Sequence, residues 1–285
     1  MKRIVVGIDF SPRSAQAAER AALLARASGS CIDLVHVLPS PGRFTGWLGP
    51  SDDETARFEH ASMQLDGHLQ SLRAEGVADV AGRIVQCDSR AAGLAQASKD
   101  AGLLVVGVSP SKAWFDPLPG WLHRLLRSAS VPVLVVREPA AMRYRHALAA
   151  VDLVTPHDPA LAVAHWIAPS ARFDVIHAWR APFEGRMQYA GVPAAAIAEH
   201  RADTLNEAVY RLADSIMAHR PHSQPTAHVV HGNAATGVVD KARELRVDLV
   251  VVGRSKRSLL EEWLVPGVTA RLLDEGTADL LVVPS

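Results

Sequence analysis

One pattern occurs twice in the chain and constrains its fold more than any other feature. The run LLVVGVS at Leu103–Ser109 matches LVVVGRS at Leu249–Ser255, 146 positions later. The run VPVLVV at Val131–Val136 matches ADLLVV at Ala278–Val283, 147 positions later. Similarity at a fixed separation is the signature of a duplicated structural module. A chain of 285 residues is long enough for two such modules, each with its own core.

Within each copy, short apolar runs alternate with helical segments. The strand-like runs are Arg3–Asp9, Cys31–Leu38 and Val80–Cys87 in the first copy, and His146–Asp152, Phe173–Trp179 and Thr226–His231 in the second. Apolar, β-branched runs of this length are typical of parallel strands covered by helices on both faces. The alternation predicts right-handed βαβ units. The predicted fold class is therefore α/β, with two tandem doubly wound parallel five-stranded sheets in domains 1–138 and 144–285.

Helix signals support the duplication. Ser11 followed by Pro12 predicts an N-cap and a first helical turn, and Thr155 followed by Pro156 repeats this chemistry in the second copy, with Asp158 in the capping-box position. The predicted helices, in chain order, are Ala15–Ala27, Asp52–Arg73, Ala91–Ala101, Pro193–Ala218 and Ala234–Leu245. The short run EPAAMR at 138–143 is the predicted linker between the two copies.

Charge and cysteine content limit the classes of partner. Lys plus Arg and Asp plus Glu both number 30, so no net charge draws the chain to nucleic acid or to an anionic membrane. The two cysteines, with no leader-like segment before the first strand, favour a reducing interior over a disulfide scaffold. The apolar runs are far shorter than the roughly 20 residues that span a bilayer. We therefore expect a soluble cytoplasmic protein that recognises its partner at a local site.

Four features, in the same order in both halves, carry a resemblance to a known family. An aspartate closes the first strand, at Asp9 and Asp152. The second strand ends in an HV-like sequence, Val35-His36-Val37 and Ile176-His177-Ala178. The fourth strand ends in VVG, and a last apolar strand follows. Both halves resemble the universal stress protein family, and the whole chain resembles its tandem two-domain members. The resemblance implies an adenine nucleotide alpha hydrolase-like, Rossmann-like fold and a stress-response role. It also implies that the two domains of the chain pack as an internal pseudo-dimer with their fifth strands meeting, as in family dimers, and we expect the chain to form a homodimer.

The loop after the fourth strand decides what the resemblance implies about ligands. Nucleotide-binding members of the family carry G-x-x-G, nine residues, and then Gly-Ser or Gly-Thr, because glycine lets backbone N–H groups approach phosphate. Here Gly107 is followed by Pro110 in the second glycine's place, and Gly253 is followed by Lys256. Pro-Gly replaces Gly-Ser in both halves, at residues 119–120 and 266–267. Proline has no N–H to donate, so both loops are degenerate as phosphate cradles.

The resemblance implies ligand-binding positions in both halves. They are Asp9, Val37, Gly107 and Gly120 in the first half, and Asp152, Ala178, Gly253, Gly267 and Val268 in the second. The two aspartates either accept a hydrogen bond from adenine or ribose, or serve as structural acids that satisfy local N–H groups. In the second half Ser255, Lys256 and Arg257 provide charge that could hold a phosphate, so ATP is expected there before the first half. The alternative is a solvated basic loop.

Histidine-rich and hydroxyl-rich positions form no recognisable catalytic or metal-binding set. The pairs His219 with His222 and His228 with His231 lack a third ligand at metal-site spacing, so we predict no metal. His36 and His177 occupy matching positions and are expected to be satisfied core histidines. No Ser/His/Asp order, paired-carboxylate spacing or reactive cysteine signature stands out, so no enzymatic activity is predicted.

Three hypotheses for function remain open from the sequence. The first is a non-catalytic stress-response binding or adaptor protein that acts through protein partners. The second is an adenine-nucleotide sensor or slow ATPase that uses mainly the second half. The third is a carrier of an apolar small molecule, suggested by the aromatic, proline-rich stretches at Phe44–Trp47 and Trp114–Trp121.

Overall fold

The computed structural model describes residues 2–40, 52–108, 120–140, 142–153, 159–218, 225–254 and 268–284. These residues divide into two compact units. Unit 1 comprises Met1–Arg143 together with Thr277–Pro284, and unit 2 comprises Tyr144–Gly276. The final strand therefore belongs to unit 1 by its contacts, although it follows unit 2 in the chain. The predicted domain boundaries stay a prediction, because they follow chain order and not contacts.

Unit 1 is a helix-covered sheet. Its strands are β1 (Arg3–Ile8), β2 (Cys31–Leu38), β3 (Val80–Gln86), β4 (Leu103–Gly107), β5 (Val133–Val136) and β10 (Asp279–Pro284). Its helices are α1 (Pro12–Ser28), α2 (Asp52–Ala74), α3 (Arg90–Ala97) and α4 (Gly120–Ser128). The strand order is β3-β2-β1-β4-β5-β10, and the first five strands run parallel. Order reverses between β1 and β4, which makes this the switch point of a doubly wound sheet.

Unit 2 repeats the same winding. Its strands are β6 (His146–Ala150), β7 (Arg172–Trp179), β8 (Thr226–His231) and β9 (Leu249–Arg254). Its helices are α5 (Pro159–Ile167), α6 (Glu184–Tyr189), α7 (Ala194–Ala218), α8 (Ala234–Leu245) and α9 (Val268–Glu275). The order is β9-β6-β7-β8, all parallel. The predicted α/β fold class is confirmed in both units.

The strands are not shared evenly between the units. The contact division groups β10 with unit 1, so in the part of the chain described here unit 1 has six strands and unit 2 has four, whereas the predicted sheets follow chain order with five strands each. The cause is β10, which pairs antiparallel with β5 and places Leu281 opposite Leu134. The prediction that the two fifth strands meet is thus confirmed.

A buried acid holds β10 in place. One carboxylate oxygen of Asp279 accepts the backbone N–H of Arg137 at 2.7 Å and of Glu138 at 3.3 Å. The other oxygen lies 3.3 Å from Nε of Arg20 in α1, whose side chain is also buried. A buried carboxylate is tolerated only when it is paired and hydrogen-bonded. These contacts therefore fix β10 to the end of β5 and to α1.

Local chemistry sets the helix that follows β1. The side chain of Ser11 accepts the N–H of Ser14 at 3.2 Å, Pro12 occupies the first turn, and Gly29 ends α1 in the left-handed region with φ of 64°. This confirms the predicted cap. The inner strands are buried on both faces, as Ile4 and Leu104 in unit 1 and Leu148 and Val251 in unit 2 show. None of the described helices is both long and apolar enough to span a membrane.

Candidate functional site

A cleft opens in unit 1 at the carboxyl ends of β1 and β4, where the strand order reverses. Counted with its opening to solvent, it has a volume of about 310 Å³. Its lining includes Gly7, Ile8, Asp9, Ser14, Val35, Val37, Arg90, Leu94, Val106, Gly107 and Trp121. Ligands of open α/β sheets bind at this place, beyond the carboxyl ends of the strands. The cleft thus brings together Asp9, Val37 and Gly107, three of the positions predicted for the first half.

Asp9 lies at the mouth of the cleft with both carboxylate oxygens engaged. Oδ1 accepts the Ser11 backbone N–H at 3.1 Å and the Ser11 hydroxyl at 2.5 Å, and Oδ2 accepts Nη1 of Arg90 at 2.9 Å. Burial alone raises the pKa of Asp9. The hydrogen bonds from Ser11 and Ser14 and the charge of Arg90 outweigh burial and hold this pKa below 3.8. Asp9 is therefore a carboxylate at neutral pH. It positions the start of α1 and the guanidinium of Arg90.

Arg90 and Trp121 form the polar and aromatic wall of the cleft. The guanidinium carbon of Arg90 lies 5.2 Å from the centre of the Trp121 ring, within the range of a cation–π contact. Ser14, Arg90 and Trp121 belong to the first turns of α1, α3 and α4, so three helix N-termini border one cleft. N-terminal N–H groups and the helix dipole favour negative charge. The cleft is thus suited to an anion that carries a planar group.

The opposite wall is apolar and closely packed. A Cβ added to Gly93 in α3 would lie 2.8 Å from Cγ1 of Val37, and one added to Gly7 would lie 3.0 Å from Leu94. Only glycine lets α3 approach β1 and β2 this closely. Val37, which the sequence assigned to a base pocket, contributes to this wall together with Ile8 and Val35.

The two glycines assigned to the first phosphate loop have different surroundings. A Cβ on Gly107 would lie 1.9 Å from the carbonyl oxygen of Arg13, so the backbone of α1 occupies that space. Gly107 is therefore required by packing, whether or not a ligand binds. Gly120 begins α4, is exposed, and would bring a Cβ no closer than 4.0 Å to Arg124. No packing contact at this distance requires Gly120 to be glycine.

One corner at the carboxyl end of the first strand is the same in both units. Nδ1 of His36 is 2.8 Å from the carbonyl oxygen of Ile8, and Nδ1 of His177 is 2.9 Å from that of Val151. The residues that follow the two aspartates, Phe10 and Leu153, both have positive φ, at 61° and 56°. A non-glycine residue in this region is uncommon and marks a constrained turn. Each histidine is therefore a structural donor at the turn that presents the acid.

Fewer of the second-half positions can be placed. Asp152 is exposed at the end of this corner, Ala178 is half-buried in β7, Gly253 is exposed in β9, and Val268 begins α9. Further positions singled out in the sequence lie outside the described residues: Ser255, Lys256, Arg257 and Gly267, the caps Thr155, Pro156 and Asp158, the pair His219 and His222, and the aromatic stretches 44–47 and 114–119. Their predicted roles stay predictions.

Arg90 was not predicted from the sequence as a site residue. A signal was present, because Ser89-Arg90 opens the helix that follows β3, and helix N-termini after strands line the ligand edge of such sheets. The corresponding residue of unit 2 is Ala234, which follows the N-cap Asn233. Within the described parts of the chain, no three His, Cys, Asp or Glu side chains come together as a metal site.

Comparisons with known proteins agree with this architecture. A sequence model of the Universal stress protein family matches residues 1–137 and, separately, residues 143–284. The structure is similar to that of a universal stress protein from Archaeoglobus fulgidus, with 14% identity and a TM-score of 0.71 over 99% of this chain and 98% of that one. It is also similar to a functionally unknown protein from Pseudomonas aeruginosa PAO1, with 22% identity and a TM-score of 0.64 over 100% of this chain and 92% of that one. No curated protein matches the chain by sequence.

Proposed function

Because the chain belongs to the universal stress protein family, we propose that it is a non-catalytic stress-response protein that binds an adenine mononucleotide in the cleft of unit 1. Ligand binding then sets how unit 1 engages protein partners. The observation that supports this most strongly is the wall formed by Arg90 and Trp121, opposite Asp9, at the switch point of the sheet.

The ligand class follows from the chemistry of the walls. Helix N-termini and the Arg90 guanidinium attract a phosphate, whereas Trp121 and the apolar wall can stack or cover a planar base. A phosphate would compete with Asp9 for Arg90, whose side chain is 40% exposed to solvent. The degenerate Gly-rich loops do not remove this site, because it uses the first turns of three helices.

The absence of catalysis is supported by the same lining. Ser14 is the one hydroxyl or thiol among the described lining residues, and its Oγ donates to the carbonyl of Ser11 at 3.0 Å and accepts the N–H of Asp9 at 3.2 Å. No histidine lines the cleft in the described part of the chain to act as its base. We therefore expect bound nucleotide to be retained and not hydrolysed.

Calorimetry of the purified chain with AMP and ATP tests the proposal. Replacing Arg90 by Ala should weaken binding at least tenfold, since a charge-assisted contact is worth roughly 1.5–3 kcal/mol. The matched control is Arg180→Ala, because Arg180 is an exposed arginine of unit 2 that contacts the carbonyl of Gly232. It should leave the affinity unchanged. Equal affinity in wild type and Arg90→Ala, or phosphate release from ATP that needs Arg90, would contradict the proposal.

The carrier hypothesis is an outcome of the same experiment. An apolar ligand held by Ile8, Val35 and Val37 would bind equally well to wild type and to Arg90→Ala. The basic loop of the second half, the cytoplasmic location and the homodimer stay predictions. For the loop, replacing Lys256 and Arg257 by Ala should leave nucleotide affinity unchanged if unit 1 is the site.

A further inference from the structure

Each unit has one buried or nearly buried aspartate near the amino ends of its strands, away from the cleft edge. Asp33 lies in β2 and Asp174 in β7, at the same step of the two sheets. The strand registers around the two aspartates agree. On the side of the first strand, Arg3 of β1 pairs with Cys31 and His146 of β6 pairs with Arg172. On the side of the third strand, Arg83 of β3 pairs with Val35 and His228 of β8 pairs with Ile176. Arg3 and Arg83 in unit 1 therefore correspond to His146 and His228 in unit 2.

In unit 1 the aspartate is held by arginines. Nε and Nη2 of Arg83 lie 3.1 Å and 3.0 Å from Oδ2 of Asp33, and Nη1 of Arg3 lies at 3.6 Å. Guanidinium groups stay charged throughout the physiological pH range. The charge around Asp33 is therefore fixed.

In unit 2 the aspartate is held by imidazoles. Nε2 of His146 lies 2.5 Å from Oδ2 of Asp174, and Nε2 of His228 lies 2.7 Å from Oδ1. The Asp174 side chain is 0% exposed, and those of His146 and His228 are 18% and 20% exposed. Burial raises the pKa of Asp174, but the hydrogen bonds from both histidines and the charge of Arg172 outweigh it and hold the pKa below 3.8. Asp174 is thus a buried anion that is held by two imidazole donors.

The surrounding charges do not replace these donors. Arg172, on the same strand, reaches Asp174 with Nε at 3.4 Å, but its side chain is 63% exposed. Asp248, which precedes β9, accepts the backbone N–H groups of Arg145 and His146. Several ionic groups of the helices packed against β7 and β8 pair elsewhere: Lys241 with Glu244, Arg243 with Glu275, Arg201 with Glu184, and Arg211 with Glu207. His231 of β8 also lies 3.8 Å from Glu184 and not at Asp174.

We propose that unit 2 is proton-responsive: protonation of His146 and His228 on acidification tightens β6, β7 and β8 around Asp174, while the arginine-held cluster of Asp33 in unit 1 does not respond. A neutral imidazole donates one N–H, and both must be Nε2–H tautomers to satisfy Asp174. A protonated imidazole makes the same bond and adds a full positive charge beside the Asp174 carboxylate, so the hydrogen bond becomes an ion pair. The protein would thereby sense acidification in one half.

Hydrogen exchange of the full chain, resolved by peptide and corrected for the intrinsic pH dependence of exchange, tests the proposal. Protection of the β7 and β8 peptides should rise roughly fivefold for each imidazole between about pH 7.5 and about pH 5.5. Protection of the β2 peptide should stay within about twofold. The double variant His146→Gln/His228→Gln keeps neutral N–H donors that do not titrate, so its β7 response should vanish.

Two outcomes overturn the proposal. One is a β7 response equal to that of β2 in wild type, and the other is a β7 response that persists in the double variant. If the double variant does not fold, the variant Arg3→His/Arg83→His, which places the two histidines of unit 2 at the matching positions of unit 1, provides the test. A β2 peptide that gains the pH response supports the proposal, and one that does not gain it contradicts the assigned role of the two imidazoles.

Discussion

The backbone corner at the carboxyl end of the first strand is the same in both units, but the side chains near it differ. In both, a histidine holds the carbonyl before the aspartate, and the next residue has positive φ. At the first turns of the helices that face this corner, unit 1 has Arg90 and Trp121, whereas unit 2 has Ala234 and Val268. The backbone corner has thus been kept in both copies, while among the described residues of these first turns a cation and an aromatic ring occur in unit 1 alone. Duplicated architecture does not imply duplicated binding.

The aspartates near the amino ends of the strands show the same contrast, because the backbone register is shared while the neighbouring side chains differ. Asp33 and Asp174 occupy the same register, but their partners are arginines in one unit and histidines in the other. Four comparisons, from the largest expected effect to the smallest, examine how far the two units are equivalent.

The largest effect is expected at Gly107. Replacing it by Ala places a methyl group 1.9 Å from the Arg13 carbonyl oxygen, and a helix backbone cannot rotate away as a side chain can. We expect a loss of about 4 kcal/mol in the free energy of unfolding of unit 1. Gly253→Ala, at the exposed equivalent in unit 2, should cost much less. Urea unfolding followed by exchange of the β4 and β9 peptides measures both, and equal losses would show that Gly253 is packed in the same way.

The next largest difference between the units is expected when each amino-end aspartate is replaced by alanine. Asp174→Ala leaves two half-buried imidazoles without their acceptor and should destabilise unit 2 by about 3 kcal/mol. Asp33→Ala should cost about 1 kcal/mol, because Arg3 and Arg83 are exposed enough to be hydrated when released. Chemical denaturation of each variant gives the two values. A larger loss for Asp33 would mean that fixed charge, and not burial, sets the energy of these clusters.

The acid dependence of the Asp174 contribution has a defined sign. The pKa of Asp174 is below 3.8 in the folded state, so the unfolded chain takes up the proton first as the pH falls. Stability that depends on the Asp174 anion is therefore complete above about pH 5 and decreases below pH 3.8, towards the folded-state pKa. Wild type should exceed Asp174→Asn in unfolding free energy at about pH 5, and the gap should narrow at about pH 3. A constant gap would mean that Asp174 acts through packing and not through its charge.

The smallest effect should be the same in both units. Phenylalanine in place of His36 or His177 keeps the ring but removes the N–H that reaches the carbonyl of Ile8 or Val151. Each change should cost about 1 kcal/mol, with the two values agreeing within about 0.5 kcal/mol. Thermal unfolding of the two variants provides the comparison. A clear difference would show that stacking of Phe10 on His36, with ring centres 4.5 Å apart, supports unit 1 alone.

The sequence was sufficient to predict most helices and strands but not the details of how the strands pair. Cys31–Leu38, Thr226–His231 and Ala234–Leu245 have the predicted bounds, because strong apolar patterns and a good N-cap define them locally. The short helix α6 was not predicted, since its six residues bury no side chain and leave no periodic signal. The prediction placed β10 in the second copy and expected the two fifth strands to meet, whereas the antiparallel register, with Leu281 opposite Leu134, comes from the structure alone.

Site residues at the end of a single strand could be predicted from the sequence. Contacts between residues of several helices and strands could not. Asp9 and Val37 follow from the ends of β1 and β2, and both line the cleft. The contact of Arg90 with Trp121 joins helices that are separated in sequence, and only the fold reveals it. Gly107 was interpreted as a phosphate-loop residue, but its need for glycine comes from the carbonyl of Arg13. The relation of Asp174 to two histidines likewise depends on strand register.

The position of β10 beside β5 has a consequence for synthesis. A ribosome emits the chain from its amino end, so the nascent first half emerges with the β5 edge uncovered and waits for translation of all of unit 2. At common elongation rates this wait is on the order of ten seconds. Uncovered apolar edges recruit other chains. We therefore expect the yield of this protein in a cell to depend on the rate of translation and on chaperones that cover the β5 edge until β10, with Asp279, has been synthesised.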